Sequence, residues 1–140
     1  MAQISQSVAT LRIAGDDLIP VQITKLLGCE PDFSHAKNDE IEINNTGNTR
    51  ITNIGMWQIR TKRLKPENID AQISEIFNKL SPDLSIWKSL NNKYKIDLFC
   101  GIFMKEDMEG MSLSPVSLRT LSDRGIRLDL DIYSSYEENA

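Results

Sequence analysis

Apolar residues at every second position mark out the strands of this chain. In Ser7 to Ile13, Ala9, Leu11 and Ile13 alternate with Val8, Thr10 and Arg12. Around "GMWQIRT", Trp57 and Ile59 alternate with Met56, Gln58 and Arg60. In "IRLDLDIY" (126 to 133), Ile126, Leu128, Leu130 and Ile132 alternate strictly with Arg127, Asp129, Asp131 and Tyr133, which predicts a strand with one dry face. "YKIDLFCGIF" (94 to 103) is a more continuous apolar run that reads as a further strand. The period changes in "KPENIDAQISEIFNKL", where Ile69, Ile73, Ile76, Phe77 and Leu80 fall on one helical face behind Pro66. Ser81-Pro82 starts a second, shorter helix carrying Leu84, Trp87 and Leu90, with a break expected at Asn91-Asn92. The polar stretch 31 to 53 predicts a long loop holding one hairpin.

One helical line occurs twice. "LIPVQITKLLG" (18 to 28) and "LSPVSLRTLSDRG" (113 to 125) place Leu18, Pro20, Val21, Ile23 and Leu26 at the same spacing as Leu113, Pro115, Val116, Leu118 and Leu121, and each closes on a glycine, Gly28 or Gly125. Proline suits the first helical position, where its missing N–H has no partner to lose, and glycine suits the left-handed cap. Equal spacing predicts equal buried faces, with Leu26 and Leu121 both in the core. Strands flank both copies, so the predicted fold is α+β: two βαβ halves, about 7–62 and 93–133, sharing one sheet in a ferredoxin-like pseudo-duplication, with a helical segment of about 66–91 inserted between them. Right-handed crossovers put both repeated helices on one sheet face and leave the other open.

"SVATLRIAGDDLIPVQITKLLGCEP", a glycine before "W-x-I" at Trp57, and "SLSPVSLRTLSDRGIRLDLDIY" together resemble the bacterial family catalogued as domain of unknown function 4279, over about Ser7 to Tyr133. The resemblance implies small stand-alone proteins and carries over no catalytic residue and no ligand.

Length and charge narrow the picture only a little. At 140 residues, 40% hydrophobic and 26% charged, the chain is long enough to fold as one domain over 1–140 without disulfides or a structural metal. A net charge of −4 disfavours phosphate backbones and favours basic partners, so no nucleic-acid role is expected. No leader and no apolar run of membrane-spanning length is present, which predicts a cytoplasmic protein. Cys29 and Cys100 sit in apolar surroundings and read as reduced core or core-edge thiols. The lone histidine, His35, lies in the polar "DFSHAKND" without a nucleophile frame and reads as a surface residue. With one histidine and two separated cysteines no metal site is expected, and "KEDMEGM" (105 to 111) lacks the ligand spacing of a calcium loop. Met104, Met108 and Met111 read as part of a solvated loop, and Asp16-Asp17 as turn residues before a helix.

Arg60, Lys62, Arg63 and Lys65 form a basic cluster, but alternation sets Trp57 on the face opposite Arg60, in the core. The more informative set is Arg12, Arg60, Asp97, Asp129, Asp131 and Tyr133, which the strand phases project together from the uncovered side of the sheet. They either pair with one another as cross-strand charges or dock a polar partner. The functional expectation is a small acidic protein-binding module, of immunity or inhibitor type, without enzymatic activity or cofactor. The alternative is a sensor-like domain with a small ligand held between its halves or at a homodimer interface. The 35 to 53 loop competes with the sheet face as the binding surface.

Overall fold

The computed structural model describes residues 2–134. The acidic pair Glu137-Glu138 lies outside them. Strand β1 (Ala2–Gln3) leads into β2 (Gln6–Gly15), and α1 (Pro20–Leu27) follows. The polar stretch then supplies β3 (Phe33–His35) and a hairpin of β4 (Glu40–Glu42) with β5 (Thr49–Ile51), so the expected loop is built around strands. Strand β6 (Gly55–Arg60) precedes two helices, α2 (Ile69–Phe77) and α3 (Leu84–Lys93). The chain ends with β7 (Lys95–Phe103), β8 (Glu109–Gly110), α4 (Pro115–Asp123) and β9 (Arg127–Tyr133). The segment holding "KEDMEGM" is pinned because β8 pairs in parallel with β1.

The main sheet has the order β3-β6-β2-β7-β9. Strand β2 is antiparallel to both neighbours, β3 is antiparallel to β6, and β9 is parallel to β7. The two expected halves therefore differ: β2 and β6 run in opposite directions, whereas β7 and β9 run together across α4. The helices of 69–93 carry the chain from β6 over β2 to β7 and are a crossover of the sheet, not an insert beside it. All four helices bury residues in one core cluster with Ala9, Leu11 and Ile13 of β2, Trp57 and Ile59 of β6, and Ile96, Leu98, Cys100 and Ile102 of β7. The opposite face of the sheet carries no helix among the described residues.

Helix ends follow local chemistry. Asn68 caps α2 by accepting from the Ala71 N–H at 3.0 Å, which moves its start from the expected Pro66 to Ile69. Asp83 caps α3 by accepting from the Ser85 N–H at 2.9 Å. Helix α3 runs past the expected break because Asn91 donates its side-chain amide to the carbonyls of Trp87 (3.0 Å) and Arg124 (2.5 Å), tying the helix to the end of α4. The repeated line keeps its termini: Pro20 and Pro115 open their helices, Ser114 caps the second, and Gly28 and Gly125 adopt φ of 76° and 66°.

Its buried faces, however, do not repeat. In α1 the buried residues are Ile23 and Leu27, while Val21 and Leu26 are exposed. In α4 they are Ser117 and Leu121, while Val116 and Leu118 are exposed. In shared spacing the second stripe comes one position earlier, a rotation of about 100° about the helix axis. The cause is the neighbour each helix meets: α1 packs on β6, where Trp57 donates to the Thr24 hydroxyl at 3.1 Å, and α4 packs on α2, where the Ser117 hydroxyl donates to Asp70 at 2.5 Å. The expectation that Leu26 and Leu121 are equivalent core residues is corrected accordingly. The dry face expected for β9 also holds only at its start: Ile126 is buried and Leu128 half-buried, but Leu130 and Ile132 are exposed, because β9 is the edge strand and α4 covers only its first residues.

Replacing Leu27 or Leu121 with Ala should cost about 2–5 kcal/mol of unfolding free energy, and Leu26→Ala less than about 1. Urea denaturation of the three variants checks this, and a Leu26→Ala loss equal to that of Leu27→Ala would contradict the rotated packing.

Candidate functional site

The open face of the sheet is set by register. Arg12 of β2 stands between Gln58 of β6 and Asp97 of β7, and Thr10 between Arg60 and Phe99. Across the next gap Asp97, Phe99, Gly101 and Phe103 face Arg127, Asp129, Asp131 and Tyr133 of β9. Side chains alternate between faces along a strand, so all six residues singled out in the sequence lie on this one face. They are not scattered evenly. Arg12 and Arg60 belong to the β2 and β6 side, whereas Asp97, Asp129, Asp131 and Tyr133 belong to the β7 and β9 side.

At the boundary Arg12 grips Asp97 with both ends of its guanidinium, Nε to Oδ1 at 2.8 Å and NH2 to Oδ2 at 2.5 Å. The Arg12 side chain is 35% exposed and that of Asp97 only 11%. Its guanidinium carbon lies 4.5 Å from the centroid of the Phe99 ring, so cation, ring and carboxylate form one packed unit. The hydrogen bond to Asp97 raises the Arg12 pKa above its ordinary value, and Asp129 and Asp131 add to the effect. Asp97 is pushed above the usual carboxylate range, first by burial and further by the neighbouring Asp129 carboxylate, with the Arg12 hydrogen bonds opposing. Asp129 moves the other way, because the contact with Asp97 and the Arg127 guanidinium at 3.2 Å favour its charged form. The half-buried Asp129 thus keeps its charge more readily, and the more deeply buried Asp97 is the more readily protonated.

Sequence reasoning missed the aromatic part of this face. Phe103 stacks on Tyr133 with ring centroids 5.0 Å apart and planes 7° from parallel, and Arg63 lies over Phe103 at 4.2 Å. In "KIDLFCGIF" both faces of the strand are apolar and only Asp97 marks the outer one, but Phe99 and Phe103 share its parity, so the alternation that placed Asp97 also places them. Trp57 stands in the core, as alternation predicted, and Arg60 is held through its backbone N–H by Asp32 at 2.7 Å. His35 is a correction: it is buried, paired in register with Met56, with its ring edge-on to Phe33 at 5.3 Å. The residues after it fold back, with Ala36 and Thr52 joined through the Thr52 hydroxyl at 2.7 Å, so a polar loop segment became part of the sheet.

Of the two cysteines, Cys100 is buried, and burial pushes its thiol up to about 12, while Cys29 is half-buried. Both are free thiols. Among the described residues no group of three or more His, Cys, Asp or Glu is placed to hold a metal ion. A pocket of about 390 Å³ opens at one end of the open face, lined by Arg12, Met56, Tyr94, Lys95, Asp97 and Arg127 among others. A wider one of about 690 Å³ lies beside β1 and β8, where Glu67 and Asp70 meet. Asp70 is held below the usual carboxylate range by the Ser117 hydroxyl, whereas burial pushes the Glu67 carboxyl up, and its Oε2 is buried without a partner.

Two predictions follow from these groups. Removing the Arg12 guanidinium in Arg12→Ala leaves Asp97 buried and unmatched and should cost about 2–4 kcal/mol, while Arg12→Met with Asp97→Leu should recover most of it; chemical denaturation of the single and double variants decides. For Glu67 the folded pKa lies above the unfolded value near 4.5. Its favourable contribution is therefore complete below the unfolded value and is lost as pH rises through the folded one. Glu67→Gln should accordingly raise the melting temperature at pH 7 and leave it unchanged below pH 4, as thermal scans at the two pH values would show.

No curated protein and no solved structure matches the chain. A family model does match it, over residues 3–135, and the chain belongs to the family described as Domain of unknown function (DUF4279).

Proposed function

We propose that this protein is a binding module for a basic protein partner, docked on the β7 and β9 side of its open sheet face, and that it acts as an inhibitory or immunity-type protein without chemistry of its own. One observation carries this: the register gathers Asp97, Asp129, Asp131 and Tyr133 on a helix-free face, with Arg12 and Arg60 to the other side and Arg127, at the start of β9, paired with Asp129. An excess of carboxylates on this side orients an incoming basic surface and speeds its encounter, and the net charge of −4 adds to the attraction. The exposed Tyr133 ring, backed by Phe103, supplies the rigid amphipathic contact typical of interface centres. Phe99 and Phe103 each already carry a guanidinium on their rings, which speaks against base stacking and a nucleic-acid partner.

The fold reading that accompanies this is a ferredoxin-like unit of β2-α1-β3-β6-α2/α3-β7, in the sheet order β3-β6-β2-β7, with α4 and β9 appended to give the face its acidic edge. The sensor-like alternative is favoured by one observation, the pocket of about 390 Å³ in which Arg12, Lys95 and Arg127 outnumber the carboxylate of Asp97, a lining that suits a small anionic molecule.

Affinity capture from the native host, with mass spectrometry of proteins and small molecules, supplies the ligand. If a basic protein is retained, Asp129→Arg with Asp131→Arg should slow its association about tenfold or more and flatten the salt dependence of the rate. Unchanged association kinetics would remove the face from the reading, and retention of a metabolite alone would put the sensor reading in its place.

A further inference from the structure

Strand β9 has one free edge. Tyr133 accepts from the Met104 N–H at 2.9 Å, so its backbone groups point to β7. Backbone direction alternates along a strand, so those of Asp131, Asp129 and Arg127 also point to β7, and those of Leu128, Leu130 and Ile132 point outward. In the sheet order β9 is terminal, and no described segment pairs with that side. The side chains repeat the alternation: Asp129 and Asp131 stand on the open face, while the exposed Leu130 and Ile132 stand on the other.

We propose that this edge takes up an extended basic segment of the partner as a sixth, antiparallel strand. This rests on the reading of the open face as the docking surface. The chemistry of the occupant follows from the edge. Residues opposite Leu128, Leu130 and Ile132 turn their own backbone groups inward and carry apolar side chains, and residues opposite Asp129 and Asp131 carry Lys or Arg on the open face. A second copy of the chain is the poorer occupant of the whole edge. Pairing over the full length of β9, centred on Leu130, sets Asp129 against Asp131 twice, whereas the alignments that bring Arg127 onto Asp131 or Asp129, centred on Asp129 or Leu128, pair only residues 127–131 or 127–129 of the strand.

The test uses the full-length protein and a labelled Val-Lys-Val-Arg-Val-Lys-Val peptide, followed by fluorescence anisotropy. Three companions are the same peptide methylated on its valine amides, a version with Asp for each Lys and Arg, and the protein variant Leu130→Pro. Proline at 130 removes an outward N–H and none that serves β7, so the sheet should keep its melting temperature within a few degrees. Saturable binding that weakens at least tenfold on methylation, with Leu130→Pro and with the acidic peptide is the expected result. If the methylated peptide binds as well as the parent and only Asp129→Asn with Asp131→Asn weakens it, strand addition is overturned while the face reading stands. If neither basic peptide binds, strand addition is likewise overturned, and the face reading is then judged by its own kinetic test with the captured partner. A dimer in sedimentation that Leu130→Pro dissolves would assign the edge to a second copy and overturn the proposal.

Discussion

The structure depends on the double pairing of β2. This strand of ten residues pairs antiparallel with β6 over Thr10–Gly15 on one side and with β7 over Gln6–Ala14 on the other, and Ala9, Leu11 and Ile13 are fully buried beneath the helices. Because side chains alternate, a slip of one residue in either pairing would carry a whole row of apolar side chains to the open face and bring Arg12 into the core. The Arg12–Asp97 contact reinforces the register from the polar side, since only one alignment brings the fork of the guanidinium onto the carboxylate. One constraint thus fixes both the packing of the helices and the make-up of the face that meets a partner.

The repeated helical line shows where local sequence ends and tertiary context begins. Its termini were readable because proline at the first position and glycine at the cap act through backbone geometry, and both copies obey them. Its buried face was not, because a short helix with apolar residues at Val21, Ile23, Leu26 and Leu27 offers more than one stripe, and the surface beneath selects among them. The same reason explains the middle helices. Their existence followed from Ile69, Ile73, Ile76 and Phe77, but whether they bridge β6 to β7 or stand beside the sheet depends on strand order, which periodicity does not encode.

The candidate face was legible to the extent that alternation is strict. Strand β9 and the polar positions of β2 and β6 gave their phases directly, and all six residues fall on one side. Strand β7 is buried nearly throughout, so Asp97 alone marked its outer face, and counting in twos from it reaches Phe99 and Phe103. His35 failed for the opposite reason. Its surroundings are polar in sequence, and it is buried because β3 joins the sheet through three backbone pairs that carry no side-chain signature.

The edge strand unites these threads. A free edge beside exposed Leu130 and Ile132 is a hazard, and charged residues along it are a common defence against self-pairing. Asp129 and Asp131 provide that defence over the full length of the edge, where two copies would set them against each other, and the same charges attract a basic strand. Arg12 already holds both oxygens of Asp97, so Asp129 and Asp131 are the carboxylates that an arriving strand would meet. The pattern that keeps copies of this chain apart is therefore also the pattern that defines which partner can close the edge.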